Sequence, residues 1–214
     1  MKNKLNKIYQ RLYKEFGPQH WWPGESSFEI MIGAILTQNT NWANVEKAIS
    51  NLKQKNSLSP NKLYKLSHKR LAQLIRPAGY FNIKAKRIKN FLDFLFKEYK
   101  GNIKIMRKVP TGTLRKKLLL VNGIGQETAD SILLYALDKS VFVVDAYTKR
   151  MLLRHKIIKE ETSYEEIQEI FHNNLEQNKE LFNEYHALIV RLGKEICKTK
   201  NPLCHICPIL DNTI

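Results

Sequence analysis

Apolar residues recur along most of the chain at the three- and four-residue spacing of amphipathic helices. The first such stretch, residues 4–16, places Leu5, Ile8 and Leu12 on one face, and Gly17, followed by proline, ends it. Further helices are predicted to begin near Ser26 and Asn41 and to cover about 60–66, 68–76, 82–98, 163–175 and 179–197.

Two stretches between these patterns differ from them. Residues 100–112 lack the periodicity and contain Pro110 and Gly112, so they are predicted to form a loop. Residues 141–144, VFVV, form a short apolar run of the kind found in buried strands. Because one such run stands among many helical patterns, the fold class is predicted to be all-α.

The densest signals lie in residues 118–150, where two helical patterns flank a tight turn. In this turn Gly123 and Gly125 surround the apolar Ile124, and glycine allows positive φ and the close approach of another molecule. The turn leads into a helix predicted for about 126–137, whose first N–H groups and positive dipole end favour an anion. The turn is therefore predicted to bind a phosphate.

Asp145 follows the apolar run directly and precedes another helical pattern. Aspartate is a favoured N-cap, and capping is the more common use of such a residue. The alternative is a catalytic carboxylate at the end of a buried run, near a phosphate-binding turn. The sequence by itself leaves both roles open.

The segments LVNGIGQETAD and VVDAYTKR, about twenty residues apart, resemble the helix-hairpin-helix and the aspartate segment of endonuclease III-like DNA glycosylases. The resemblance covers nearly the whole chain. It implies two helical lobes around a central DNA-binding cleft. Residues 24–137 would form the lobe that ends in the hairpin, and residues 1–23 with 138–214 would form the second lobe, with a Cys-containing loop. Asp145 would then be the catalytic carboxylate beside the cleft, and it could cap the following helix at the same time.

Such enzymes flip the target base out of the duplex, and the resemblance assigns residues to this step. Gln38, in LTQNT, matches the position whose side chain fills the gap that the base leaves, and Tyr80 matches a wedge beside the lesion. A polar helix end and ordinary loop packing are the alternatives for these two residues. Lys84 lies in a basic run and is a candidate phosphate contact, although charged helical faces are usually only solvated.

Glu127 occupies the position at which bifunctional members of the family carry a lysine that attacks the sugar. A carboxylate cannot form the Schiff base that this attack produces. The sequence therefore predicts a monofunctional glycosylase that uses water and has no strand-cleaving lyase activity. Glu127 is also a candidate catalytic residue, whose negative charge would favour a cationic base. As the alternative, it only complements the dipole of its helix.

The three tryptophans, Trp21, Trp22 and Trp42, are candidates for the base pocket because aromatic faces stack on electron-poor or cationic rings. With the WWP turn and RPAGYFNIKAKR, they resemble the 3-methyladenine DNA glycosylase branch, in which Lys194 matches a pocket-lining lysine. This resemblance implies alkylated purines as substrates. Core packing remains the alternative role for the tryptophans. For the protein as a whole, two alternatives remain: a glycosylase for mismatched or oxidised bases with endonuclease III-like activity, and a non-catalytic DNA-binding protein.

Cys197, Cys204 and Cys207 have the spacing C-x6-C-x2-C, which matches three of the four ligands of the family's [4Fe–4S] loop. Thr213 stands at the fourth position. Three interpretations remain open: the cluster is lost, it is bound with a non-Cys or exogenous fourth ligand, or a zinc ion binds the three thiolates with help from His205.

The formal net charge of +16 favours a polyanionic partner, and double-stranded DNA with a damaged base is the partner that fits the resemblance. No apolar run approaches the roughly 20 residues that span a bilayer, and the lysine-rich N-terminus lacks a signal-peptide core. We therefore expect a cytoplasmic, nucleoid-associated monomer that does not bind membranes.

Overall fold

The computed structural model describes residues 1–21 and 24–210, in which helices are joined by short connections and no strand is present. The predicted all-α class is confirmed. The helices are α1 (Lys2–Phe16), α2 (Ser27–Leu36), α3 (Trp42–Gln54), α4 (Pro60–Lys65), α5 (His68–Leu74), α6 (Phe81–Tyr99), α7 (Ile103–Arg107), α8 (Thr111–Leu119), α9 (Gln126–Ser131), α10 (Ala146–Arg154), α11 (Tyr164–Asn174) and α12 (Lys179–Glu195). None of them is long and apolar enough to cross a membrane.

The chain divides into two compact units. One unit contains Trp22–Lys139, and its centre is α2, which is buried on nearly all sides. A helix that is apolar all round must lie inside a core, and α2 accordingly packs against α3, α6 and α9. The side chain of Ser26 accepts a hydrogen bond from Glu29 N–H and so fixes where α2 begins.

The other unit contains Met1–Trp21 and Ser140–Ile214, and its core is aromatic. Phe142 stacks on Phe171 with 3.6 Å between the ring centroids, and Phe182 meets it edge-on. Tyr185 is fully buried, and its hydroxyl donates to the carbonyl of Leu5 at 2.9 Å. These contacts hold α12 against α1 and the segment that precedes Asp145.

One local prediction was wrong, and one helix has the predicted bounds but changes type within them. The loop predicted for residues 100–112 contains α7 and the start of α8, because the side chain of Asn102 caps α7 and Met106 anchors it in the core. The helix predicted for 126–137 is α-helical only to Ser131 and continues as a wider π-helical turn over Ile132–Ala136. Periodicity does not reveal this change of helix type, because all five residues of the turn are apolar or aromatic and buried.

The buried run 141–144 pairs with no strand within the described part of the chain, and side chains of α11 bond its backbone instead. Gln168 donates to the carbonyl of Phe142 at 2.7 Å, and His172 accepts the N–H of Phe142 at 2.9 Å. The hydroxyl of Tyr164 accepts the N–H of Val144 at 3.3 Å. Buried backbone groups need such partners, so the chain arrives at Asp145 in a fixed conformation.

Candidate functional site

The hairpin between α8 and α9 has the turn geometry predicted for it. Gly123 has a φ of +95°, and a Cβ at this position would overlap the side chain of Arg87. Ile124 is buried, and its N–H donates to the carbonyl of Val121 at 2.9 Å. Gly125 is extended and precedes the first turn of α9, whose leading N–H groups lie beyond the reach of helical acceptors.

Three side chains from outside the hairpin hold its turn. The amide nitrogen of Gln38 donates to the carbonyl of Gly123 and to the hydroxyl of Thr128, both at 2.9 Å. The amide oxygen of Gln38 accepts a hydrogen bond from Arg87. Asn90, one helical turn further along α6, donates to the carbonyl of Asn122 at 2.9 Å. Gln38 therefore lies at the hairpin, and its predicted role as a gap-filling residue requires these hydrogen bonds to be exchanged.

An ion pair that the sequence interpretation missed joins the two hairpin helices. Arg115 of α8 donates to both carboxylate oxygens of Asp130 of α9, at 2.7 and 3.0 Å, and Asp130 is fully buried. Bidentate pairs of this kind fix orientation as well as distance. The available signal was an acidic residue within the apolar pattern of α9.

Replacing Gly125 with alanine is expected to weaken binding of lesion duplex about tenfold, the effect of one lost hydrogen bond to a phosphate. Nothing in the described chain lies within 4 Å of the added Cβ, and the φ of −89° is accessible to alanine, so the fold should be unaffected. Fluorescence anisotropy over a range of salt concentrations measures the effect. Gly112→Ala in α8 is the matched control, because its Cβ also meets open space. Unchanged affinity in Gly125→Ala would argue against phosphate binding at this turn.

Tyr80 lies on an exposed turn between a short 3-10 segment and α6. It has a φ of 44°, follows Gly79 at φ +68°, and leaves 68% of its surface exposed. A bulky residue with positive φ is uncommon and marks a conformation that its surroundings impose. Its predicted use as a wedge in DNA remains a prediction.

Lys84 does not lie on the surface, which corrects its interpretation as a phosphate contact. Only 1% of the residue is exposed, and its ammonium donates to the carbonyls of Leu36 at 2.8 Å and Ala78 at 2.7 Å. Leu36 is the last residue of α2, shortly before Gln38, and Ala78 is the last residue of the 3-10 segment Arg76–Ala78, shortly before Tyr80. Lys84 is therefore a buried brace between the two segments that carry the predicted base-flipping residues.

The burial of Lys84 predicts an unusual dependence of stability on pH. Burial, with a contribution from Arg87, lowers the pKa of Lys84 from 10.5 to about 8. Between these two values the unfolded chain binds a proton that the folded chain has lost, so the free energy of unfolding should rise with pH across this window. Urea titrations at several pH values measure this, with Lys84→Met as the control. A slope that is the same in both proteins would contradict the assignment.

Asp145 caps α10, which is one of the two roles that the sequence left open, and its carboxylate has a second partner. Oδ1 accepts the N–H of Thr148 at 2.7 Å, and Oδ2 lies 3.5 Å from Nε2 of His186 on α12. Burial by itself would raise the pKa of Asp145, but the charge of His186 and the hydrogen bond from Thr148 outweigh burial. The pKa of Asp145 is therefore lowered, and its carboxylate, on a side chain that is 12% exposed, is ionised at neutral pH.

A further residue that the sequence interpretation missed is His186, which lies between a predicted pocket tryptophan and Asp145. Trp21 stacks on the imidazole of His186, with centroids 5.6 Å apart and planes within 10°. A hydrogen bond to α12 holds the turn before Trp21, because the carboxylate of Glu184 on this helix accepts the N–H of Gln19 at 2.7 Å. A histidine on an apolar helix is usually a core residue, so no sequence signal separated it from its neighbours.

The remaining predicted pocket residues differ in their surroundings. Trp42 begins α3, packs over Gly33 and donates to Glu46 at 2.8 Å, while Trp22 lies outside the described residues. Glu127 is exposed in the first turn of α9, and Lys194 is exposed in the last turn of α12.

The cysteine loop follows α12 and is organised by arginines of α10. Arg150 donates to the carbonyl of Cys197 at 2.8 Å, and Arg154 donates to its sulfur at 3.2 Å. Burial raises the pKa of the Cys207 thiol, and the other two cysteines add to this effect. Within residues 1–21 and 24–210, no group of three or more His, Cys, Asp or Glu side chains could hold a single metal ion.

A profile of the HhH-GPD superfamily base excision DNA repair proteins matches residues 32–177. A protein of Methanocaldococcus jannaschii, named as a DNA repair glycosylase, is 52% identical over 207 residues, which cover 96% of this chain and 93% of the relative. Endonuclease III of Thermotoga maritima is 29% identical over 95% of this chain and 86% of its own length.

Solved structures agree with these matches. The 3-methyladenine DNA glycosylase of H. pylori, in complex with 1,N6-ethenoadenine, superimposes with a TM-score of 0.74 at 29% identity and covers 90% of this chain and 97% of its own. A non-covalent endonuclease III–DNA complex superimposes with a TM-score of 0.83 over 98% and 93% of the two chains, and at 24% identity this likeness shows the fold alone.

Proposed function

This chain belongs to the HhH-GPD superfamily of base excision DNA repair proteins, and on this premise we propose that it is a monofunctional DNA glycosylase for alkylated purines. The proposal has three parts: the reaction, the nucleophile and the base. Each part rests on different residues.

The reaction is assigned to Asp145, and the observation that supports this most strongly is the geometry of its carboxylate, which caps α10 through Thr148 and lies 3.5 Å from His186. Cleavage of a glycosidic bond leaves positive charge on the sugar. A fixed, ionised carboxylate in a poorly solvated place stabilises such charge and can orient or deprotonate the attacking water. Its oxygens accept from Thr148 and face His186, and a carboxylate retains further lone pairs for water. A protein that only binds DNA has no need of this arrangement.

Water is the proposed nucleophile because Glu127 stands where lyases of this family carry the attacking amine. The hairpin that presents Glu127 would bind a phosphate of double-stranded DNA through backbone N–H groups, and the net charge of +16 would strengthen this binding. The product is then an abasic site in an intact strand.

Alkylated purines are the proposed substrates because of aromatic residues and a similar protein of known activity. Cationic N-alkylated bases stack well on tryptophan and are good leaving groups, which suits a site that relies on a carboxylate. Trp21 and Trp42 are the described candidates, and the H. pylori 3-methyladenine DNA glycosylase has 29% identity to this chain. Endonuclease III of Thermotoga maritima is also 29% identical to this chain, so oxidised or mismatched bases are the second candidate class of substrate.

The test is a comparison of duplexes that each contain one lesion: an N-alkylated purine, an oxidised base or a mismatched base. Mass analysis of the released base identifies the substrate, and we expect alkylated purine to be released fastest. Product strands should stay intact until alkali is added, and borohydride should trap no protein–DNA adduct, whereas an endonuclease III control should form one. A trapped adduct would show that a lysine attacks the sugar and would overturn the monofunctional assignment.

A further inference from the structure

His186 is a polar residue on the apolar face of α12, and packing by itself does not account for it. Its side chain is only 5% exposed. Phe182 and Ile189, which lie one turn before and one turn after it on the helix, are buried and apolar. Burial of an imidazole is costly unless a polar partner offsets the cost. Such a partner faces its Nε2, because Oδ2 of Asp145 lies 3.5 Å away.

The helix cap at Asp145 holds only one side of its carboxylate. Oδ1 accepts the N–H of Thr148 at 2.7 Å, and a contact at one oxygen does not fix the plane of a carboxylate. Nε2 of His186 lies on the side of the second oxygen, so it supplies the contact that fixes the plane. Catalytic hydrogen bonds are often as long as 3.5 Å in free enzymes and shorten when the substrate is bound.

Close packing of α10 against α12 sets the distance between Asp145 and His186. Gly193 of α12 lets the ring of Tyr147 approach so closely that a Cβ on the glycine would overlap this ring. Arg150, on the next turn of α10, donates to the carbonyl of Gly193 at 3.1 Å. These contacts hold the helix that Asp145 begins against the helix that carries His186. The fold therefore keeps the pair together, and the pair does not depend on its own attraction alone.

The face of the His186 imidazole is covered by Trp21. The two rings are nearly parallel, and their centroids are 5.6 Å apart. The segment before Trp21 is also held by α12, because Arg191 donates to the carbonyl of Phe16 at 3.0 Å. Stacking restrains the tilt of the imidazole, so its Nε2 keeps its direction toward Asp145. His186 thus stands between the carboxylate and a tryptophan that is a candidate for stacking on the flipped base.

We propose that His186 is a positioning residue for base release, and that its Nε2 fixes the plane of the Asp145 carboxylate relative to the sugar and the attacking water. It acts through Asp145 and not on the substrate. This inference rests on the proposed function, because a reaction at Asp145 is what requires a fixed orientation. A misplacement of about 1 Å can slow an enzymatic reaction about 10²-fold, so loss of the Nε2 contact should have an effect of that order.

The test compares two substitutions that separate the ring of His186 from its nitrogen. His186→Phe keeps an aromatic ring against Trp21 but removes the nitrogen that faces Asp145. With the lesion duplex that the wild type cleaves fastest, single-turnover base release should slow about 10²-fold in this variant while DNA affinity stays unchanged. His186→Gln places an amide nitrogen near the position of Nε2 and should restore most of the rate.

Two controls show whether His186 acts through Asp145. In an Asp145→Asn background, His186→Phe should cause no further loss, because no carboxylate is left to orient. His155→Phe makes the same substitution at the other end of α10, where the imidazole lies beside Cys207, and its rate should match that of the wild type.

A second measurement does not depend on base release. In protein labelled with ¹³C-aspartate, the carboxyl signal of Asp145, assigned by its loss in Asp145→Asn, reports the pH at which this group binds a proton. Burial raises the pKa of Asp145, whereas His186 and the N–H and hydroxyl of Thr148 together lower it by more. Because Thr148 is present in both proteins, the titration should move to higher pH in His186→Phe.

Several outcomes would overturn the assignment of His186. They are base release at the wild-type rate in His186→Phe, an Asp145 titration that does not move in this variant, and equally slow release in His186→Phe and His186→Gln, which would show that ring packing matters and the nitrogen does not. If the wild type releases no base from any lesion, the proposed function fails, and the titration then decides whether His186 holds the carboxylate. Circular dichroism of each variant separates a slow reaction from a lost fold.

Discussion

Replacing Asp145 with asparagine is expected to slow single-turnover base release about 10²- to 10⁴-fold while the affinity for lesion duplex stays unchanged. Asparagine has nearly the same shape and also caps helices well, so the hydrogen bond from the Thr148 N–H should persist. Only the negative charge is lost, and with it the stabilisation of the sugar cation and the ability to deprotonate water. Rapid-quench measurement with excess enzyme isolates this step from product release.

Asp145→Ser provides the control, because serine is also a good N-cap but places no carboxylate near His186. Both variants should melt close to the wild-type temperature and should be similarly slow in base release. If either variant releases base at the wild-type rate, Asp145 is only a helix cap. If both variants also bind DNA poorly, the pair of Asp145 with His186 has a structural role, and the slow base release is then no evidence for catalysis by Asp145.

The features that could be predicted from the sequence are those that depend on neighbours in the chain. The turn at Gly123 follows from the need for positive φ, and the cap at Asp145 follows from the preference of helices for aspartate at this position. Helix positions also followed from periodicity, except where a cap such as Asn102 begins a helix too short to show a period.

The features that could not be predicted depend on residues far apart in the chain. On α6 the apolar Ile83 is 53% exposed while the neighbouring Lys84 is buried, the reverse of what residue type suggests. Lys84 is inside because two carbonyls, 48 and 6 residues away, need a donor. In the same way, His186 faces Asp145 across 41 positions, and nothing local to either residue indicates the pair. Long-range polar pairing of this kind overrides the apolar pattern wherever a buried group would otherwise lack a partner.

Arg115→Met is expected to lower the free energy of unfolding by roughly 2–4 kcal/mol, because it removes the bidentate cationic partner of the buried carboxylate of Asp130. Arg115 keeps 21% of its side chain exposed while Asp130 has none, so some solvent screening reduces this cost. The pair joins α8 to α9, so affinity for DNA should fall along with stability. Urea unfolding and anisotropy on the same preparation measure the two effects.

Two further variants distinguish a buried pair from a general loss of charge. Lys117→Met removes a cation from the same helix, but its partner Glu98 lies at the surface, so the change in stability should be much smaller. The double variant Arg115→Met/Asp130→Leu removes both charges and should recover most of the stability, since apolar residues can replace a buried ion pair at little cost. This variant should also recover DNA binding, because apolar packing between α8 and α9 then holds the hairpin in place of the ion pair. Equal losses of stability and DNA affinity in Arg115→Met and Lys117→Met would show instead that the hairpin depends on positive charge and not on the ion pair between Arg115 and Asp130.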